Sequence, residues 1–239
     1  MILLAVDTAL DACAAAVATE RDGTVEIHAV RDVIGRGHAE HLMRVVDEVL
    51  AYAGVGHVDL DGYAVSVGPG SFTGIRVGVA AVRGFALASG RPAVSVTTLE
   101  ALASEGRDIR PERPILAVID ARKNEVYAQA FDAGGRPLGP ATVASAGVVA
   151  RHGAEIGAVL IGSGAPLVAA ADPTLEIAAT TPFPAIDTHA LLALPRLAAA
   201  GPHTPRPSPL YVRPADAKPQ GAARLARLTP GGLAAEVGS

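Results

Sequence analysis

Residues 71–89 constrain the fold of this chain more than any other stretch. They form an uninterrupted helical pattern whose only charges are Arg76 and Arg83, seven residues apart and therefore on one stripe. Almost every other position is apolar or small, and Gly74, Gly78 and Ala81 line one side, where a second backbone can come close. A helix that is apolar nearly all round is buried on more than one face. The preceding helical pattern, residues 38–53 closed by Gly54, has the same excess. On a wheel of ~100° per residue, Leu42, Met43, Val45, Val46, Val49, Leu50 and Tyr52 join Ala39 and Ala53 in an arc of ~180°. A helix lying on one sheet needs a stripe of only ~100°. Glu40, Arg44, Asp47 and Glu48 make its polar side, with Glu40 and Arg44 spaced for an i,i+4 pair. The surplus apolar surface is covered either by another part of the same chain or by a partner.

The rest of the chain supplies a scaffold for these helices. Apolar or β-compatible segments at 2–6, 12–19 and 24–30, with Asp22-Gly23 as a hairpin turn, predict an antiparallel meander. A buried strand at 62–67 and a short one at 93–96 flank the second helix. The pattern then partly repeats. Strands are expected at 114–119 and 125–131, with Gly134-Gly135 as the turn after them. A weak helix near 145–152, a strand at 158–161, a short helix from Ala165 and a helix near 188–199 follow. Strands first, then helices alternating with strands, in two successive halves, predict two related α/β subdomains. The charged segment 107–114, with two prolines, marks their junction, which gives subdomains at 1–106 and 107–217. Six prolines between 202 and 219 forbid helix and predict an extended strap, followed by a mobile tail at 218–239.

Charge and composition exclude several function classes. The chain carries −4 overall, but residues 211–239 carry +2, which leaves −6 on the other 210 residues. Aromatics are 3% of the chain and Trp is absent, so it lacks both the field and the stacking platforms of an autonomous nucleic-acid binder. Cys13 is the one cysteine, which precludes an internal disulfide and fits a small buried hydrophobe in a reducing compartment. Asp7 interrupts the first apolar run, unlike a signal peptide, and the apolar stretch 77–90 is broken by Arg83 and short for a membrane span. A soluble cytoplasmic protein is expected.

The residues that invite chemistry have plainer uses. The loop Gly68-Pro69-Gly70-Ser71-Phe72-Thr73-Gly74 joins a strand to a helix, as phosphate cradles do. It has no Walker lysine, however, and its glycine spacing misses G-x-G-x-x-G by one residue. A tight turn with Ser71 as N-cap explains it. His38 and His41 are three apart without the other ligands of a metal set. Asp7 ends the first strand, where a sugar-kinase-like ATPase holds Mg²⁺ through water. The hairpin that follows, Ala9-Leu10-Asp11-Ala12, has no glycine to let a phosphate approach, so Asp7 and Thr8 are expected to hold the turn. Asp120-Ala121-Arg122 reads as an Asp–Arg pair at a turn, and Gly162-Ser163-Gly164 as a strand-to-helix turn. No G-x-S-x-G elbow occurs.

The ordered set of Ile2-Leu3-Leu4-Ala5-Val6-Asp7-Thr8, His38-Ala39-Glu40, the 68–78 loop and helix start, the 96–102 run, Asp120-Ala121-Arg122 with Glu125-Val126-Tyr127, and Pro209-Leu210-Tyr211-Val212-Arg213 resembles the TsaB (YeaZ) family. The resemblance implies an actin-like, sugar-kinase-like (ASKHA) fold with two related α/β subdomains and mixed sheets. It implies a non-catalytic subunit of the machinery that forms N6-threonylcarbamoyladenosine in tRNA, akin to the catalytic subunit TsaD but without its metal and nucleotide chemistry. Its implied partners are TsaD, in a heterodimer, and TsaE through that heterodimer, with self-pairing when alone and no stable tRNA or membrane binding. No catalytic, cofactor or metal residues are then expected. The expected partner contacts are His38, Leu42, Met43, Val46, Leu50, Phe72, Ile75, Arg76, Val79, Val82 and Arg83. Ala9, His41 and Arg44 depart from the family pattern, and Arg44 puts a charge near the proposed contact. The rival reading is an ATP-dependent phosphotransferase or ATPase using Asp7, the glycine loop and Asp120 around Mg²⁺-ATP.

Overall fold

The computed structural model describes residues 1–201 and 203–213. The chain opens with β1 (Ile2–Asp7), β2 (Ala12–Arg21) and β3 (Thr24–Val33), paired antiparallel, with Asp22 and Gly23 both at positive φ in the hairpin turn. Next come α1 (His38–Ala53), β4 (Gly62–Ser66), α2 (Phe72–Ser89), β5 (Ala93–Val96) and α3 (Thr98–Ile109). β4 and β5 add parallel to β1, so the first sheet has the order β3-β2-β1-β4-β5. The second half comprises β6 (Ile115–Asp120), β7 (Glu125–Phe131), β8 (Thr142–Ser145), α4 (Ala146–Glu155), β9 (Val159–Ile161), α5 (Ala165–Ala171), β10 (Ile177–Ala179) and α6 (Ile186–Ala198). Its sheet, β8-β7-β6-β9-β10, has the same order and the same strand directions as the first. Two related α/β units with mixed sheets, the ASKHA architecture, are thus built from one repeated pattern.

Each sheet is buried on both faces, which is why its central strands read as continuous apolar runs. From β1 and β2, Leu4, Val6, Cys13, Ala15 and Val17 face α1 and α2, while Leu3, Ala5, Ala14, Ala16 and Ala18 face α6. From β6, Leu116 and Val118 face α4 and α5, while Ile115, Ala117 and Ile119 face α3. The last helix of each half therefore packs on the sheet of the other. The two crossed helices also grip each other. Glu105 of α3 accepts from the Ala185 backbone N–H (2.6 Å) and the Thr188 hydroxyl (3.1 Å) at the start of α6. Arg196, near the end of α6, pairs with Glu100 of α3 at 3.1 Å. Burial pushes the Glu105 carboxyl above its ordinary range, and its hydrogen bonds oppose this. Burial, with Asp7 nearby, pushes the Cys13 thiol up to about 11, which keeps it an inert hydrophobe.

α3, β8 and β10 lie outside the elements expected from sequence. β8 and β10 have four and three residues, too few to display an alternation. α3 did carry a signal. Thr97 and Glu100 form a reciprocal capping box, the S/T-x-x-E signature that opens a helix. Residues 107–109 of the expected junction belong to this helix. Residues 203–213 of the expected strap are non-helical, whereas 214–219 and the tail at 218–239 lie outside the described residues.

α2 starts directly over the end of β1. Ser71 caps it, accepting from the Gly74 N–H, and Gly68 takes φ +98. A Cβ on Gly70 would strike the Ala9 carbonyl, and one on Gly74 would strike that of Thr8. A Cβ on Gly78 would lie 2.5 Å from the Thr8 hydroxyl, which donates to the Gly74 carbonyl at 2.7 Å. The small-residue side of α2 is thus covered from within the chain. By length and composition α2 could cross a membrane; here Ile75, Val79 and Val82 are buried in the core and Arg76 and Arg83 are exposed.

Two stability experiments follow. Gly74→Ala forces α2 off the β1–β2 turn and is expected to cost ~1–3 kcal/mol. Gly84→Ala, which meets nothing within 4 Å, is expected to gain ~0.5–1 kcal/mol. Urea unfolding of both variants checks the contrast. A carboxyl raised in the fold favours folding below its ordinary value of 4.5, and that contribution is lost as pH rises through the raised value. The melting temperature of Glu105→Gln relative to the parent should therefore climb as pH is raised from 4.5, measured by calorimetry.

Candidate functional site

α1 and α2 lie side by side on one face of the first sheet and share a core. Leu42, Val45, Val46, Val49 and Leu50 of α1 meet Ile75, Val79 and Val82 of α2 there. The structure places most of the expected partner contacts within this shared core. Leu42, Val46, Leu50, Ile75, Val79 and Val82 are at most 5% exposed and pack inside their own chain, and His38 is buried as well. The ~180° arc of α1 is filled by the sheet below and α2 beside it, so its breadth does not by itself require a partner. Of the expected contacts, Met43, Phe72, Arg76 and Arg83 stand at the surface.

The outer face of the pair is still unusual. Tyr52 and Leu87 are 68% and 79% exposed, and Met43 and Phe72 are nearly half exposed. On α2 the exposed stripe runs through Thr73, Ala80, Gly84 and Leu87, short side chains edged by Arg76 and Arg83. On α1 the exposed polar residues are Glu40, Arg44, Asp47 and Glu48. Arg44 pairs with Glu48 at 2.8 Å and with Asp32 of β3, instead of with Glu40. The reason is that Asp32 draws the guanidinium toward the sheet edge. Sequence reasoning missed Ala80, Gly84 and Leu87 because the wheel of an all-apolar helix does not reveal which side the sheet takes.

Behind these helices lies a cleft of about 660 Å³ between the halves, lined by Asp11, Arg36, Glu40, Ser71, Asp120 and Arg122 among others. In a phosphate-binding relative of this architecture the first hairpin and the glycine loop would face the ligand through free N–H groups. Here the first turn occupies the loop itself. The Ser71 N–H donates to the Ala9 carbonyl at 2.6 Å, and the His38 ring bonds the Leu10 carbonyl at 2.8 Å. Asp7, 2% exposed, accepts from the Ala9 N–H at 2.8 Å. Asp7 and Thr8 thus hold the turn. Asp120 accepts from the Arg122 backbone N–H at 2.7 Å; the expected Asp–Arg ion pair is an Asx turn instead, with Arg122, Lys123 and Asn124 all at positive φ. Ser163 accepts from the Asp120 N–H at 3.1 Å, as a strand-to-helix turn requires. Asp120 lines the cleft, whereas Asp7 is not in its lining and is hydrogen-bonded beneath the turn. Among the described residues no group of three or more His, Cys, Asp or Glu side chains is placed to hold a metal ion.

The segment after α6 crosses the rim of this cleft. The Leu210 N–H donates to the Val67 carbonyl at 2.8 Å. The Tyr211 hydroxyl accepts from Arg76 Nε at 2.8 Å, and the Arg76 guanidinium lies 3.7 Å from the Phe72 ring centre. Arg213 then pairs with Glu125 at the start of β7 and points at the Ala121 carbonyl. Arg76 is therefore engaged within its own chain, between two rings.

The comparisons with known proteins agree with this arrangement. A family model described as TsaD, tRNA N6-adenosine threonylcarbamoyltransferase, matches residues 30–159. The tRNA threonylcarbamoyladenosine biosynthesis protein TsaB of Escherichia coli K12 is 38% identical over 127 residues, 53% of each chain, and the TsaB of Haemophilus influenzae is 35% identical over a similar share. The chain thus spans about half the length of these curated relatives. An uncharacterized protein of Mycobacterium tuberculosis H37Rv is 36% identical over 220 residues, 91% of this chain and 94% of that one. A crystal structure from Pseudomonas aeruginosa, of an uncharacterized protein with similarity to peptidase YEAZ, superposes with a TM-score of 0.72 at 30% identity, covering 89% of this chain and 99% of that one. In sequence, in its repeated sheets and in the match over nearly its whole length, this chain belongs to the TsaB (YeaZ) family.

Proposed function

We propose that this chain is a non-catalytic partner subunit in the formation of N6-threonylcarbamoyladenosine in tRNA, and that it acts by binding and stabilising the catalytic subunit TsaD. The observation that carries the reading is the pair α1–α2: a two-helix layer whose inner side is complete and whose outer side still offers Met43, Phe72, Ala80 and Leu87 to another protein. Short side chains along α2 let a second helix pair approach closely, and the edging charges fix its register. A paralogue of the same architecture presents helices of matching shape. Alone, the chain pairs with its own copy through this face, because an isologous contact needs only a self-complementary patch. TsaE joins through the heterodimer.

The turn at Ala9 and Leu10 supports a non-catalytic role, since its carbonyls take up the Ser71 N–H and the His38 ring, donors that an anionic substrate could use. The acidic body makes tRNA a substrate of the assembly and not a ligand of this chain alone. The protein works in solution in the cytoplasm, with subdomains divided near residue 107.

Met43→Glu with Ala80→Glu places two like charges on the outer face without touching the core. The double variant should melt within ~0.5 kcal/mol of the parent and lose co-purification with TsaD. Undiminished pairing would rule out this face. Val46→Asp, at a fully buried position, should instead unfold the chain. Calorimetric titration of the isolated chain with Mg²⁺-ATP should show no saturable micromolar binding; such binding would favour a phosphotransferase.

A further inference from the structure

A second surface adjoins the pairing face at α2's last turns, where the two share Arg83, Gly84 and Leu87, and it has features that face does not explain. α2, the turn into β5 and the segment after α6 enclose an open groove of about 700 Å³. Three arginines on three different elements line it: Arg83 on α2, Arg91 just past the Gly90 C-cap, and Arg206 on the returning segment. Among the described residues no carboxylate is in the lining. Elsewhere Arg44, Arg110, Arg113, Arg196 and Arg213 each meet a carboxylate within the chain. Among the described residues, Arg83, Arg91 and Arg206 meet none. Three uncompensated guanidinium groups repel one another, and they stand on a body that carries −6 over its first 210 residues. Arg91 follows the C-cap of α2, where a cation is favoured by the helix dipole. Among the described residues no helix end or carboxylate is placed to offset the other two.

The floor between these cations is hydrocarbon. Leu87, Pro92 and Pro207 line it, and Leu87 is 79% exposed. This combination selects among anionic ligands. A nucleic acid backbone would use the cations and leave the floor unused, and the lining has no aromatic ring on which a base could stack. An isolated phosphate would not fill the groove. An extended or helical peptide with carboxylates around an apolar side chain uses all of it: the apolar side chain covers Leu87 and Pro92, and the carboxylates take the arginine forks in bidentate geometry.

We propose that this groove is a docking site for an acidic segment of another protein, anchored by a leucine-like side chain, whose cations Arg91 and Arg206 lie beyond the pairing face. The assignment does not rest on the function proposed above. The test uses the full chain and short fluorescein-labelled peptides built from Glu and Asp with two leucines spaced as on one helix face, read by fluorescence anisotropy. Matched peptides with serine for leucine and labelled bulk tRNA are run beside them. At least one leucine peptide is expected to bind saturably. Arg91→Glu with Arg206→Glu should weaken it at least about tenfold, as should leucine-to-serine replacement, with melting temperature and TsaD co-purification unchanged. The proposal is overturned by the absence of binding in the whole leucine set, by equal binding of the serine peptides, or by binding that survives the arginine changes. It is equally overturned if tRNA binds with the same arginine dependence, or if the double variant loses pairing, since the groove would then belong to RNA or to the pairing face.

Discussion

Each sheet in this molecule is closed by a helix that the chain order assigns to the other half. α6 seals the face of the first sheet that α1 and α2 leave open, and α3 does the same for the second. Neither half therefore owns a complete core. Both sheets expose apolar residues on two faces, and a sheet bare on one side does not hold its strands together in water. Two carboxylates on α3 secure the exchange. Glu105 serves the start of α6, whose first N–H groups have no partners inside their own helix, and Glu100 meets the arginine near its end. The result is one molecule with two repeated patterns, in which the relative placement of the halves is set by packing and not by a linker alone.

That placement leaves α1 and α2 as the outermost layer on one side, and it explains why their chemistry is inward and structural. The first turn puts the Ala9 carbonyl against the Ser71 N–H of the glycine loop. Gly70, Gly74 and Gly78 are small so that the chain can pack on Ala9 and Thr8, not so that a ligand can approach. A motif of the same outward form can therefore serve packing in one protein and binding in another; what separates them is the residue that the glycine faces.

Much of this was legible in the residues. The meander, both long helices and the repetition of strands and helices follow from apolar periodicity and from Asp22-Gly23, and the lack of glycine at Ala9-Leu10 already pointed away from phosphate. The depth of individual helix positions was not legible. Periodicity reports that Val46 and Val79 are apolar, but only the sheet beneath them decides that they are core and that Ala80 and Leu87 are surface. Partner choice among charges was hidden in the same way, since Arg44 bonds to Asp32 twelve residues away on another element. α3 was missed although Thr97 and Glu100 announced it, because its capping box is read from four letters and the helix after it is mixed in polarity.

The segment carrying Tyr211 and Arg213 touches both halves at the mouth of the cleft, the first through Arg76 and Val67, the second through Glu125 and Ala121. It works as a catch on a hinge. Spreading the halves would have to detach one of those grips. Because Arg76 lies on α2, whatever seats itself against that helix also presses on the catch.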